Sequence, residues 1–184
     1  MKERIKKFDE LMGDLVSPEF KIWLADHGFF TAPASTKYHG NYEGGLFDHS
    51  YEVAKALVEL SVKNGLTWEK PGSPIMVGMF HDLCKIDNYR HPEIGRSLEG
   101  HPIRDTEAWE YNPNTLFKGH GTKSVLLLSQ FYNMSEEEIA AITYHMGAFT
   151  EKEEWRDYTR AVNTYPNVLW THHADMIASH VMGV

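Results

Sequence analysis

The sequence predicts an all-α, single-domain helical bundle. Apolar residues recur at three- and four-residue intervals in several segments. Helix-start signals stand just ahead of two of these, at Ser17-Pro18 and at Ser135-Glu136-Glu137-Glu138. No internal repeat, low-complexity tract or linker divides the 184 residues. At about 150 residues per domain that length makes one domain, spanning 1–184, and it suffices for a full core.

Residues 1–30 open with two short helices, Ile5 to Leu15 and Pro18 to His27, the second capped by Ser17 with proline at its first position. Pro33, Gly40, Asn41, Gly44 and Gly45 break any period and make residues 31–45 a loop. A helix follows from Leu46 to Asn64. Its charges Asp48, Glu52, Lys55, Glu59 and Lys63 share one narrow arc, and His49 lies off that arc in line with Val53, Ala56 and Leu60. After Pro71-Gly72-Ser73-Pro74, the run Ile75 to Phe80 is apolar on every side and reads as a buried helix ending in His81-Asp82. The segment 87–118 reads as a loop with one small hairpin turning at Asn112-Pro113-Asn114 between Trp109-Tyr111 and Leu116-Phe117. Helix returns from Gly119 to Tyr132 and, behind the Ser135 capping box, from there to about Met146. A charged surface segment, 151–160, leads to a last helix from Pro166 to Val181.

Charge and composition narrow the function. Lys and Arg number 18 against 26 Asp and Glu, and a net charge of −8 opposes the counterion-release attraction behind binding to duplex nucleic acid. No run approaches the roughly 18 apolar residues of a spanning helix, and Met1 to Glu10 is charged where a signal peptide is apolar. Cys84 is the single cysteine, which suits a reducing compartment. These features place the protein in the cytoplasm with no membrane partner. Cys84 itself follows buried apolar residues and reads as inert packing.

Eleven histidines are the unusual feature, since imidazole is the commonest metal ligand. His49, the pair His81-Asp82, His120, His145 and Asp175 each stand on a helix expected to pack inward. Any one of them alone is more often a core residue satisfied by a single hydrogen bond. As a set, four imidazoles and two carboxylates would cost several kcal/mol each if buried unpaired, a cost that a shared cation removes. Mixed nitrogen and oxygen ligands suit divalent manganese, iron, nickel, cobalt or zinc. The stretch Gly121-Thr122-Lys123-Ser124 is not a phosphate-binding P-loop, which needs glycine where Thr122 stands.

The order of these elements resembles the HD superfamily of metal-dependent phosphohydrolases across residues 38–180. Gly44-Gly45-Leu46-Phe47-Asp48-His49-Ser50 is similar to its first-histidine helix. His81-Asp82-Leu83-Cys84-Lys85 is similar to its His-Asp-x-x-Lys element, and His172-His173-Ala174-Asp175 to its final His-x-Ala-Asp. Gly119-His120-Gly121 and Tyr144-His145-Met146-Gly147 resemble the extra histidine elements of its dinuclear members. The resemblance implies an HD-type fold in which His49, His81, Asp82 and Asp175 hold one ion. It also implies that His120 and His145 hold a second, with Asp82 bridging. Lys85 matches a lysine that contacts phosphate, its alternative being a solvated lysine at a helix C-terminus. His172 is one turn before Asp175, placed either to support a ligand or to line the pocket, and His39 is close enough to the glycine element to reach a substrate. Trp109, Tyr111 or Tyr38 would stack on a base or cover the core.

The expected activity is hydrolysis of a small phosphate ester, a nucleotide, by water that one or two divalent ions activate, with Asp82 or Asp175 accepting the proton and Lys85 offsetting phosphoryl charge. Two alternatives stand beside it: a phosphodiesterase acting on RNA ends, and a metal-holding binding or regulatory module without turnover.

Overall fold

The computed structural model describes residues 1–184. Eight α-helices carry the chain, with two short antiparallel strand pairs confined to one connection. Helix α1 (Lys2–Met12) leads to α2 (Pro18–Asp26), where Ser17 Oγ accepts the Phe20 N–H at 3.1 Å and fixes the helix start. The irregular stretch before α3 (Gly45–Asn64) ends at Gly44, whose φ of +84° favours glycine. Arg4 in α1 grips the Asp48 carboxylate through Nε at 3.0 Å and Nη2 at 2.8 Å, tying the N-terminus to α3.

Helix α4 (Ser73–Phe80) is apolar all round because it is buried all round: Met76, Val77, Met79 and Phe80 are enclosed. It lies against α3 at a distance only glycine permits, since a Cβ on Gly78 would sit 2.4 Å from Ala54 Cα. That close approach brings His81, at the end of α4, beside His49 of α3. The core below is rich in phenylalanine. Phe8 and Phe30 meet edge to face at 5.5 Å, and Phe20 stacks on Phe131 at 4.7 Å.

The connection 87–118 differs from the expectation. Strand β1 (Tyr89–Arg90) pairs with β4 (Glu110–Tyr111), and β2 (Glu93–Arg96) pairs with β3 (Pro102–Arg104). The hairpin therefore turns at Ser97 to His101, where Ser97 N–H bonds His101 O at 2.9 Å, and not at Asn112-Pro113-Asn114. Asn112 Oδ1 accepts the Asn114 N–H at 3.1 Å, so that tripeptide makes a local side-chain turn instead. All residues of β2 and β3 are exposed, so no buried face imposed an alternating pattern that would mark them as strands.

Helix α5 (His120–Leu128) and α6 (Glu136–Thr143) end earlier than their apolar patterns suggested. The Ser135 capping box is present: Ser135 Oγ accepts the Glu138 N–H at 3.2 Å and Glu138 Oε2 accepts the Ser135 N–H at 2.8 Å. Helix α7 (Trp155–Thr164) follows, then α8 (Asn167–Met176), which widens into π-helical turns over Ile177–Met182. No helix is long and apolar enough to cross a membrane.

Candidate metal centre

The ends of α4 and α6, the starts of α3 and α5 and the last turn of α8 converge on one cluster of imidazoles and carboxylates. His49, His81 and His145 are fully buried, and Asp82 is nearly so. Each of the three histidines has Nδ1 at a backbone carbonyl: Val184 O at 3.0 Å, Gly78 O at 2.8 Å and Ile142 O at 2.7 Å respectively. A ring that donates from Nδ1 keeps an unprotonated Nε2 with its lone pair turned inward. Those Nε2 atoms meet. His49 Nε2 lies 3.2 Å from His81 Nε2 and 3.3 Å from Asp175 Oδ1, while His81 Nε2 lies 3.5 Å from Asp82 Oδ2. On the other side of Asp82, His120 Nε2 stands 2.6 Å and His145 Nε2 3.5 Å from Oδ1.

The donor atoms fall into three overlapping groups, each within 4.8 Å: His49-His81-Asp82, His81-His145-Asp175 and Asp82-His120-His145. The first contains three of the four residues inferred for one ion, the last contains Asp82 with the two histidines inferred for the other, and Asp175 groups with His81 and His145. The middle group shares His81 with His145, so the two sets are contiguous.

Whether these residues suit a cation is answered by what they leave unsatisfied. Asp82 Oδ1 and His145 Nε2 are buried without a hydrogen-bond partner, although His120 comes close to the former. Buried polar atoms of this kind cost of the order of 1–3 kcal/mol each when nothing pairs them. A set of imidazole nitrogens and carboxylates turned toward one another, two of whose buried atoms have no partner, fits a divalent transition metal. The electrostatics agree. Burial pushes His81 down to about 3, keeping it neutral and available as a ligand. Asp82 and Asp175 stay well below the usual carboxylate range: burial opposes their charge, but Lys85 and His120 beside Asp82, and the imidazoles gathered around Asp175, outweigh it. His120 rises to about 10, because the charge on Asp82 overcomes the opposing effect of burial.

Lys85 is not the solvated lysine of a helix end. It is buried, with Nζ 2.6 Å from Asp82 Oδ2, on a short 3₁₀ turn at Leu83–Ile86. A cavity of about 410 Å³ is lined by Asp82, Lys85, His120 and Asp175 together with His39 and His172. His172 Nδ1 bonds His145 O at 2.9 Å, so it both lines the cavity and braces the turn that carries a buried histidine. The His39 ring lies 5.0 Å from that of His49, and burial lowers its pKa to about 4. Tyr38 and Tyr111 reach the cavity, but Trp109 does not; it stacks on His91 at 3.8 Å, outside that lining. Asn88, Tyr89, Phe149 and Ser179 line it too. Nothing in the sequence singled these out, because loop residues carry no periodicity and the final helix offered only His172 and Asp175 as chemically distinctive residues. Larger clefts, of about 520 and 540 Å³, surround Trp68 and contain no histidine.

No curated protein and no solved structure matches the chain at a significant level. The family model of the HD domain matches residues 46–178, a span that opens at the start of α3 beside His49 and closes just past Asp175, so that it takes in every residue of the cluster. With well over half its length inside that match, the chain belongs to the HD-domain family, whose members are in general metal-dependent phosphohydrolases.

Proposed function

We propose that the protein hydrolyses a small phosphate ester, a nucleotide, with the help of one or two divalent ions. His49, His81, Asp82 and Asp175 would hold the first, and Asp82, His120 and His145 the second. The observation that carries this reading is the shared inward orientation of the imidazole Nε2 atoms, next to a cavity that also contains an ammonium group. Divalent ions, when bound, lower the pKa of a water ligand and polarise phosphoryl oxygens.

The chain's own groups supply the rest. Lys85 has three donors and spends one on Asp82, so the remainder can meet a phosphoryl oxygen, where a contact strengthened in the transition state is worth about 2–4 kcal/mol. Asp175, at the cavity wall and charged at neutral pH, accepts a proton from the attacking water. Tyr38, Tyr89 and Tyr111 give the rim flat apolar faces against which a base can stack. His39, kept neutral by burial, offers a hydrogen bond to the ester without adding charge.

The test is a substrate screen of protein reconstituted with manganese, iron, nickel, cobalt or zinc, against mono- and dinucleotides, cyclic nucleotides and short RNAs. Turnover of nucleotides that stops with chelator is the expected result. Turnover confined to RNA ends would replace the nucleotide reading with an RNA phosphodiesterase. Metal uptake without turnover of any of them would leave a binding module.

A further inference from the structure

The fourth imidazole of the cluster is anchored differently from the others. His49, His81 and His145 set Nδ1 on main-chain carbonyls, whereas His120 Nδ1 faces the Cys84 sulfur at 3.6 Å. Cys84 is fully buried, and the chemistry above gives it no part. A second group points at the same sulfur: Asn88 Nδ2 donates to Sγ at 3.9 Å. The direction of that amide is set by Lys123, a buried ammonium with donors only, which donates to Asn88 Oδ1 at 2.9 Å and to the Asp87 carboxylate. With its oxygen turned to Lys123, Asn88 must present its NH₂ group to the sulfur. Sγ is thereby the accepting end of this array.

We propose that Cys84 is a positioning residue for the metal centre. Its sulfur accepts the Nδ1–H of His120, which fixes the ring and reserves Nε2 for the ion shared with Asp82 and His145, while Lys123 and Asn88 hold the sulfur in that role. The assignment rests on the proposed metal site. Helix geometry explains how one short segment does this. His120, Lys123 and Ser124 fall at i, i+3 and i+4, on one face of α5. Ser124 Oγ accepts the Cys84 N–H at 3.0 Å and donates to His120 O at 3.3 Å. One face of α5 therefore presents the histidine together with the two side chains that hold its partner segment, 84–88. The lysine that resembled part of a phosphate loop binds protein instead.

Ring nitrogen–proton NMR spectra and zinc titration of wild type, Cys84→Ala and Cys84→Ser decide it. In chelator, wild type and Cys84→Ser should show a slowly exchanging His120 Nδ1–H, because both supply an acceptor, and Cys84→Ala should lose it. Cys84→Ala should bind its second equivalent of zinc at least about tenfold more weakly, the usual effect of removing a group that orients a ligand, with the first equivalent unchanged and Cys84→Ser within a few-fold of wild type. An unaltered Nδ1–H signal in Cys84→Ala, or none in wild type, overturns the assignment. Wild-type protein that takes up no zinc overturns the proposed function instead, and the proton signal still decides the role of Cys84.

Discussion

His49 Nε2 and His81 Nε2 stand 3.2 Å apart, each on a ring whose other nitrogen faces a backbone carbonyl. Two lone pairs pointed at each other in a buried site repel, and protonation gives little relief where burial holds His81 near 3. A cation between them removes the conflict. Loading with zinc or manganese should therefore raise the melting temperature, with about 4 kcal/mol of stabilisation at a thousandfold excess over Kd. Calorimetric melts with and without chelator check this, and coincident melting curves would remove the ions from the buried cluster.

Lys85 now supplies part of the positive charge that Asp82 requires, through the 2.6 Å contact to Oδ2. Removing one partner of a buried ion pair costs about 3–5 kcal/mol, less here because His120 remains beside the other oxygen. Lys85→Met should lower the melting temperature more in chelator than in metal-loaded protein, since a bound ion takes over the compensation. It should also reduce kcat for the best nucleotide by roughly a hundredfold, the equivalent of about 2.7 kcal/mol. Equal thermal losses in both states would leave Lys85 a packing residue, and wild-type turnover would end its phosphate role.

How far these features could be read from sequence depended on whether burial imposed a pattern. The all-apolar run ending in His81-Asp82 could only be a buried helix, and the capping box at Ser135 announced α6; both are present. The cluster was legible because its residues sit in five separate elements whose order resembled a known one. The β2–β3 hairpin was misplaced because it buries neither face. Cys84 was read as inert packing, and its contact with His120 spans 36 positions, which no local pattern encodes. Glu137 and Glu138 stand in the capping-box turn, and both are buried against partners on α4, α8 and the segment before α4, distant positions that no local pattern encodes.

Glu138 makes a pH-dependent contribution away from the cluster. Burial disfavours its charge, but Lys70 Nζ at 2.9 Å, the Ser135 N–H, Ser73 Oγ at 2.8 Å and Tyr132 Oη at 3.0 Å hold its pKa below the ordinary glutamate value. A carboxylate with a depressed folded-state pKa stabilises fully above its unfolded value, about 4.3, and loses that contribution as pH falls through the folded value. Glu138→Gln should cost about 1.5–3 kcal/mol at pH 7, the worth of hydrogen bonds to a charged group, with the gap to wild type closing below pH about 4. Urea melts of both proteins across that range test it; a gap independent of pH would show that shape, not charge, accounts for the loss.

Two glycines set the spacing of the cluster from opposite sides, and they should fail differently. A Cβ at Gly121 would lie 2.3 Å from Ile142 O and 2.4 Å from Thr143 O, backbone atoms that cannot swing aside, so alanine there must push α5 away from α6. The His120 and His145 rings, now 5.1 Å apart, would separate. Alanine at Gly78 would instead push α4 from α3, through Ala54 Cα, and part His81 from His49. Each change should cost about 1–3 kcal/mol of stability, as overpacking does. In a two-step zinc titration, Gly121→Ala should weaken the ion at Asp82-His120-His145 and spare the other, and Gly78→Ala should do the reverse. The same loss in both steps for both variants would mean that the cluster yields as one unit, with Asp82 and the shared His81 coupling the two groups too tightly to be loosened one at a time.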